Sequence, residues 1–406
     1  MYLQKRYPMK KLLILLTLVL GFTSSASHLL GGFINILQKG ASDTVDVTVT
    51  LFSDPQGIPN PSIITLNKLT KTNGFYQNPS TISASQISAG SWQGINVTTY
   101  KVTTYLVAGE YRIIYTNCCR SILTNATSSA NSNFTIALDY KKTPLGTVPN
   151  SAPYILNYLP VKWVNGATAQ SMIFTFDTDG DSVSVEADDA INQHANNTFV
   201  PLAPFTQLTG YGSYSVDPTG LVKWKPSTLG QFGTGFKINE YRNGQLVGVN
   251  RVQQVFQVEN GSLPAILAPF NMTVNSDSTA TIEHDLANGD SIYVGFTGSN
   301  YLNAQLVILG TTTNKVGGTT WSVTGLNNVG TYRGYLRISG SNCNMDFPIT
   351  LQVNSTIGIQ ENVNNTDLQY LVYDWYGRIV GDKLEGLKGL YVVRYSNGEV
   401  EKVLCN

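Results

Sequence analysis

Apolar and polar residues alternate with the period of a β-strand over much of the chain. The segment 44–52 shows this most clearly, because apolar residues occupy every second position: Val45, Val47, Val49 and Leu51. Alternation of this kind predicts a strand with one buried face. The segment 105–117 repeats the pattern after a glycine, with Tyr111, Ile113 and Tyr115 on one face. No long window has a helical period, so the pattern predicts an all-β chain.

A short motif recurs along the chain and indicates how many units it contains. A glycine, followed closely by an aromatic residue and then by alternating apolar residues, occurs at Gly109, Gly230, Gly330 and Gly389. In β-sandwich domains a late strand often begins in this way. The first three copies lie roughly 100 to 120 residues apart, about the length of one sandwich. The motif therefore predicts three sandwiches and a shorter module after them.

Polar joints divide the chain at 141–153, 258–269 and 353–367. We expect an all-β fold of tandem immunoglobulin-like β-sandwich domains with a small C-terminal β module. The predicted boundaries are a signal peptide at 1–26, an N-terminal β-sandwich at 27–146, an Ig-like or cadherin-like β-sandwich with an acidic loop at 147–259, a third Ig-like β-sandwich at 260–354 and the C-terminal module at 355–406.

The first residues predict export. Four basic residues precede an apolar run at 12–22, and small residues follow as far as Ala26. This is the pattern of a secretory signal peptide, and the run is too short to span a bilayer. Cleavage after Ala26 removes four of 26 basic residues and none of the 26 acidic ones, which leaves a net charge of −4. Such a balance does not attract nucleic acid. We expect a secreted or cell-surface protein with no transmembrane segment.

The four cysteines are Cys118, Cys119, Cys343 and Cys405. Export makes disulfides chemically feasible. Adjacent cysteines lie about 3.8 Å apart at Cα, which is closer than a disulfide usually allows. The spacing also lacks the paired pattern of a zinc site. We therefore expect no disulfide framework.

An acidic stretch, TFDTDGDSVSVE, offers the main candidate for a site. It places Asp177, Asp179 and Asp181 at alternate positions, and Ser182 stands where the standard EF-hand loop needs a glycine. Alternating carboxylates on a loop can supply several of the six to eight oxygen ligands of calcium. The residues Glu186, Asp188 and Asp189 are candidates for further ligands. The alternative is an acidic turn in which Gly180 has a positive φ and the aspartates accept hydrogen bonds from local N–H groups. Both alternatives are open at this point.

Catalytic motifs are absent from the sequence. A glycosidase needs two facing carboxylates, and no second acidic motif opposes the aspartates. No nucleophile elbow, Walker loop or dinucleotide fingerprint occurs. His194 lies in a polar segment that we expect to be a loop. Trp224 alternates with two lysines, which favours a core position over a sugar-stacking platform. We expect Arg120 and Arg242 to hydrogen-bond at turns, with Glu110 or Glu240 as partners.

Several segments resemble a known family. The segments SHLLGG, GEYRIIYTNCCR, FDTDGDSVSVE, GLVKWKP and INEYRNGQLVGVNRVQQVFQV occur in the order found in Bacteroidetes gliding-motility-associated secreted surface repeat proteins. The resemblance covers residues 27–259. It departs from the family pattern around Trp163, where the family usually has a cysteine, and at Arg251-Val252, where the family usually has Arg-Asp. The resemblance implies a surface protein.

The tail, in YLVYDWYGRIV and GLKGLYVVRYSNGEVEKVL, resembles a type IX secretion C-terminal sorting domain, although it lacks the earlier Asn-Pro strand. That resemblance implies the type IX secretion machinery as a partner through 355–406. Together these observations predict an exported, non-enzymatic adhesin or scaffold protein that contacts a surface glycan or protein. If the acidic loop binds calcium rather than forming only a turn, the ion would stiffen the protein there. The alternatives are a carbohydrate-binding accessory of polysaccharide utilisation and an uncharacterised secreted hydrolase.

Overall fold

The computed structural model describes residues 29–40, 42–92, 94–118, 120–126, 129, 132–155, 162–195, 198–202 and 206–263, and shorter stretches between 272 and 405. The predicted signal peptide, 1–26, lies outside the described residues. Strands form nearly all of the regular structure in the described part. The predicted all-β fold class is confirmed.

The first unit contains seven antiparallel strands: β1 (Leu29–Gln38), β2 (Thr44–Ser53), β3 (Ile63–Thr72), β4 (Phe75–Trp92), β5 (Ile95–Tyr105), β6 (Gly109–Cys118) and β7 (Asn133–Lys142). Their order in the sheet is β1-β2-β5-β4-β3-β6-β7. The alternation predicted for 44–52 is confirmed, because Val45, Val47, Val49 and Leu51 are all fully buried. The polar face of β2 is not solvated throughout, since Asp46 and Thr50 are also buried.

The second unit contains shorter strands and two long ones: β8 (Tyr154–Ile155), β9 (Lys162–Val164), β10 (Ala169–Met172), β11 (Thr175–Phe176), β12 (Ser182–Asp188), β13 (Ile191–Ala195), β14 (Thr198–Pro201), β15 (Gly212–Val216), β16 (Leu221–Pro226), β17 (Gly230–Arg242) and β18 (Gln245–Glu259). A 3-10 turn spans Leu208–Tyr211. The sheet β10-β16-β15 packs through Trp224 against the long strands, which carry Phe232 and Phe256. His194 belongs to β13, so the loop expected around it is corrected to a strand.

Strand β18 joins the first two units into one continuous sheet. One of its edges pairs with β17 along its length. The other edge pairs in succession with β7 at 249–251, with β1 at 253–254 and, in parallel, with β9 at 257–259. Because β1 also pairs with β2, the strands of the first unit close into a ring through β18. The two units thus share main-chain hydrogen bonds.

Side chains of β1 and its neighbours contribute to two cores. Leu29, Ile34 and Ile36 lie in the core of the first unit. Leu30 and Phe33 pack instead into the core of the second unit, which also takes in residues of β2 and β5. The two units therefore meet through buried apolar surface as well as through paired strands, and apolar burial is the main favourable contribution to such a contact.

The rest of the described chain is also β-structure. Its strands are β19 (Met272–Val274), β20 (Thr279–Ile282), β21 (Ser291–Thr297), β22 (Gln305–Thr311), β23 (Thr319–Ser322), β24 (Gly330–Ser339), β25 (Asn344–Val353), β26 (Tyr370–Tyr373), β27 (Ile379–Gly381), β28 (Gly389–Tyr395) and β29 (Val400–Cys405). They form the sheets β19-β20-β23, β22-β21-β24-β25 and β27-β26-β28-β29. The strands β19 to β25 are called the third unit below, and the strands β26 to β29 the C-terminal module. Each glycine of the recurring motif is the first residue of a strand: Gly109 of β6, Gly230 of β17, Gly330 of β24 and Gly389 of β28.

Candidate functional site

The acidic loop lies between β11 and β12 and forms a tight turn. Gly180 has a φ of 86°, in the region that only glycine enters without strain. Asp177 Oδ1 accepts hydrogen bonds from the backbone N–H of Asp179 at 2.8 Å and of Asp181 at 3.1 Å. Ser182 then begins β12. The structural features predicted for an acidic turn are therefore all present, and they leave Asp177 Oδ2 outside the turn's hydrogen bonds.

Arg242, at the end of β17, holds this loop against the joint between the first two units. Its guanidinium donates to both carboxylate oxygens of Asp181, at 2.6 to 3.0 Å, and to the carbonyl of Pro149 at 3.1 Å. Asp179 accepts a hydrogen bond from the backbone N–H of Ser151. The expected pairing of Arg242 with Glu110 or Glu240 is wrong. Strands β12 and β17 are antiparallel, so the first residue of β12 lies beside the last residues of β17, and Asp181 is therefore next to the guanidinium of Arg242.

Glu240, two residues earlier on β17, brings a further carboxylate to the loop. One oxygen each from Asp177, Asp181 and Glu240 lies within 4.8 Å of the other two. Glu240 is completely buried, and Asp177 is 2% exposed. Gly248 on β18 lies opposite Glu240, and a Cβ at that position would come within 2.5 Å of Glu240 Oε2. The glycine therefore provides the space that the carboxylate occupies.

Burial shifts the acid–base equilibria of this cluster. It raises the pKa of Glu240 to about 9, and the neighbouring carboxylates of Asp177 and Asp181 add to that rise. Burial also raises the pKa of Asp177 to about 6, against the two backbone hydrogen bonds that favour its charged form. The pKa of Asp179 is raised by burial as well. Burial and the neighbouring carboxylates therefore make the charged forms of these groups unfavourable, and a bound proton or cation would stabilise the cluster.

The structure brings together only part of the set that the sequence indicated. Asp177 and Asp181 contribute to the cluster, whereas Asp179 is engaged by Ser151. The further candidates lie elsewhere: Glu186 and Asp188 on β12 face Lys237, and Asp189 accepts from Gln207. The sequence did not indicate that Glu240 belongs to this cluster. Its one signal in the sequence is an acidic residue inside a predicted strand, shortly before the turn at 243–244.

Two other expectations concern aromatic and sulfur side chains. Trp163 and Trp224 are both buried and pack edge to face with ring centroids 5.6 Å apart, so Trp224 is a core residue as predicted. Cys118 is disulfide-bonded, although the sequence predicted no disulfide framework. Cys343 is buried in the core of the second unit.

A second polar cluster lies where β6 and β7 of the first unit meet the hairpin of β13 and β14 of the second unit. The Arg112 guanidinium stacks between the rings of Tyr76 and Phe199, 4.0 and 4.4 Å from their centroids. It also donates to Asp139 and to His194 Nε2, the latter at 2.9 Å. A groove of about 360 Å³ borders this cluster and is lined by Lys71, Tyr76, Glu110, Arg112, Asp139 and Leu246, among others.

Arg120 crosses the joint between the first two units inside the protein. It is 2% exposed, and it donates to the carbonyls of Asn133 and Ile191 and to the side-chain oxygen of Gln253. Burial lowers its pKa to about 9. No carboxylate among the described residues forms an ion pair with it. Arg120 forms hydrogen bonds as predicted, but its partners are oxygens of both units and not Glu110 or Glu240.

No protein-family model matches the sequence, and no curated protein matches it. Among solved structures, extracellular domains 3–5 of Drosophila OTK match over 79% of this chain and 97% of their own, with 11% identity and a TM-score of 0.17. The chicken CNTN1 FN1–FN3 domains match over 80% and 99%, with 12% identity and a TM-score of 0.19. Dimeric latent PorU from Porphyromonas gingivalis matches over 82% and 34%, with 12% identity and a TM-score of 0.20. TM-scores of this size carry no argument about function.

Within the described residues, no helix has the length and apolar character needed to cross a membrane.

Proposed function

We propose that the chain is an exported, non-enzymatic scaffold or adhesin protein of the cell surface, which holds a binding surface at a fixed distance from the membrane. The observation that carries this proposal is the edge of β18, which pairs with strands of both the first and the second unit. Units joined only by a linker move independently by default, whereas a large apolar interface and shared strands oppose that motion.

The buried joint between the second and third units supports the same proposal. Asp346 on β25 accepts hydrogen bonds from the backbone N–H of Met172 at 2.8 Å and from Ser171 Oγ at 3.1 Å. Tyr335 packs with Met172 and Phe174 in a small apolar cluster. A spacer transmits force and keeps its length only if its joints resist bending, and both joints contain buried polar and apolar contacts.

The C-terminal module supplies the route to the surface in this proposal. Its strands β26 to β29 form a four-stranded antiparallel sheet, and the sequence of this module is the part that resembles a sorting domain. The partner would be the type IX secretion machinery, and the contact made after export would be with a surface glycan or protein. Nothing in this role needs a catalytic group.

Two measurements test the proposal. A reporter fused to residues 355–406, expressed in a host with type IX secretion, should become accessible to protease added outside intact cells, and retention in the periplasm would refute the sorting role. Small-angle scattering of the chain from residue 27 to 406 should give one elongated shape that is unchanged by dilution. A scattering curve that requires a broad mixture of bent shapes would refute the rigid spacer.

A further inference from the structure

Glu240 is a buried carboxyl group that receives no hydrogen bond from the described donors. Its exposure is 0%, and neither Oε1 nor Oε2 accepts a hydrogen bond from any described donor. Asp177 Oδ2 is also buried and also accepts no hydrogen bond from a described donor. Buried polar atoms are nearly always hydrogen-bonded, and an orphaned group calls for a bound ion, a water or a proton as its partner. The orphaned oxygens of Glu240 and Asp177 belong to one cluster, so they point to one occupant.

The charge balance of the cluster favours a cation as that occupant. The three carboxyl groups of the cluster, those of Asp177, Asp181 and Glu240, and the nearby carboxyl group of Asp179 lie beside one guanidinium among the described residues, that of Arg242. Burial weakens the screening between like charges. A single shared proton would neutralise only one carboxylate, whereas a divalent ion would offset two.

We propose that Asp177, Asp181 and Glu240 hold one calcium ion. Calcium takes six to eight oxygen ligands in flexible geometry, and three carboxylates with water or backbone carbonyls meet that need. Magnesium requires near-ideal octahedral geometry, keeps several waters and is usually held by only one or two protein carboxylates, so a buried set of three suits calcium better. This ligand set differs from the alternating aspartates of the loop, because Glu240 on β17 takes the place of Asp179.

The position of the site gives the ion a mechanical role. Arg242, which holds Asp181, also donates to the carbonyl of Pro149, and Asp179 accepts from the N–H of Ser151. Residues 149–151 belong to the joint between the first two units. An ion that fixes the acidic loop to β17 would therefore also fix this joint, and calcium would stiffen the spacer at the point where it could bend.

Calcium titration of the chain from residue 27 to 406, followed by calorimetry and by thermal melting against EGTA, tests the site directly. We expect one ion per chain and a melting temperature higher by about 5–10 °C at a calcium concentration one hundred times Kd. Glu240→Gln and Asp177→Asn should each lose this response. The exposed Glu186→Gln is the matched control and should retain it.

Two outcomes would overturn the proposal. The first is a wild-type chain that binds no calcium and melts identically in calcium and in EGTA, which would leave a shared proton as the occupant. The second is a Glu240→Gln variant with the wild-type response, which would place calcium elsewhere. If Glu240→Gln does not fold, the wild-type titration and Asp177→Asn still decide the matter. The measurement does not depend on where the protein acts, so its failure is distinguishable from failure of the scaffold role.

Discussion

Arg120 illustrates how one buried side chain can connect two units. Its guanidinium supplies donors to acceptors of the first unit, at Asn133, and of the second, at Ile191 and Gln253. Arg120→Met would remove this donor from all three oxygens, although the carbonyl of Ile191 keeps its hydrogen bond from Gln253 Nε2 at 3.1 Å. Each acceptor that is left orphaned costs roughly 1–3 kcal/mol. We expect the free energy of unfolding to fall by about 2–4 kcal/mol in urea titrations. Lys141→Met, at an exposed position of β7, should change it by less than about 0.5 kcal/mol. Equal effects of the two substitutions would contradict this role.

His194 should make stability depend on pH near neutrality. Burial lowers the pKa of His194, and the positive charges of Arg112 and Arg251 lower it further. Asp139 raises it. A histidine whose folded pKa is depressed contributes stability that is present above its unfolded pKa, about 6.5, and is lost as the pH falls through the folded value. The contribution of His194 to the unfolding free energy should therefore decrease from pH 7.5 to pH 5, whereas the raised pKa values of Glu240 and Asp177 act on the total in the opposite direction.

The variant His194→Gln isolates this contribution, because a glutamine oxygen can still accept from Arg112 but does not titrate. The difference in unfolding free energy between wild type and variant should shrink as the pH falls below 6.5. A difference that stays constant from pH 7.5 to pH 5 would show that His194 does not titrate between the folded and unfolded states.

At the level of single residues, the sequence predicted what local chemistry determines. The φ of Gly180, the hydrogen bonds to Asp177 and the start of β12 at Ser182 all follow from neighbours in the chain. Glu240 could not be predicted as a member of the same cluster, because strand pairing brings it there across a long separation in sequence. Local patterns do not specify which distant strands pair.

The pairing of strand β18 could not be predicted from local sequence patterns either. The alternation of β2 and β6 predicted both strands and their buried faces. The three strands that share one edge of β18 come from distant parts of the sequence, and two of them belong to the unit that the polar joint at 141–153 separates from it. The predicted joint marks a change in composition, yet the sheet continues across it. The domain boundaries themselves stay predictions.

The contact between β1 and β18 depends on a glycine that has no room for a side chain. A Cβ at Gly31 would lie 2.6 Å from Gln254 Oε1 and 2.8 Å from the backbone carbonyl of Gln253. Gly31→Val should therefore push β1 from β18 and reduce the free energy of unfolding by about 1–3 kcal/mol, the usual effect of overpacking. Hydrogen exchange of the peptide 249–256 should accelerate. Gly90→Val is the control, because no atom lies within 4 Å of a Cβ there. Unchanged exchange in Gly31→Val would contradict the importance of this pairing.

For the whole molecule, the buried polar contacts at the joints determine how well the units are held in one arrangement. Two joints contain buried polar groups: Arg120 at the first, and the pair of Arg337 and Asp346 at the second. A buried polar group tolerates little displacement, because each partner it loses leaves a desolvated atom behind. Apolar contact alone would hold the units together while permitting them to slide. Polar contacts at the joints therefore select one arrangement, which is what a spacer needs.

The joint between the second and third units gives the last prediction. Asp346 is fully buried and accepts from Arg337 through both oxygens, at 2.6 and 2.7 Å, as well as from Met172 and Ser171. Asp346→Asn preserves size but removes the charge that Arg337 faces, and breaking a buried pair in this way costs about 3–5 kcal/mol. We expect the third unit to detach from β10, so that the radius of gyration measured by small-angle scattering increases and protease cuts within 258–269.

Glu110→Gln, whose partner Lys71 is exposed to solvent, should leave both readouts unchanged, since exposed pairs contribute about 1 kcal/mol or less. An Asp346→Asn chain with the wild-type radius and the wild-type resistance to protease would show that this pair does not hold the joint.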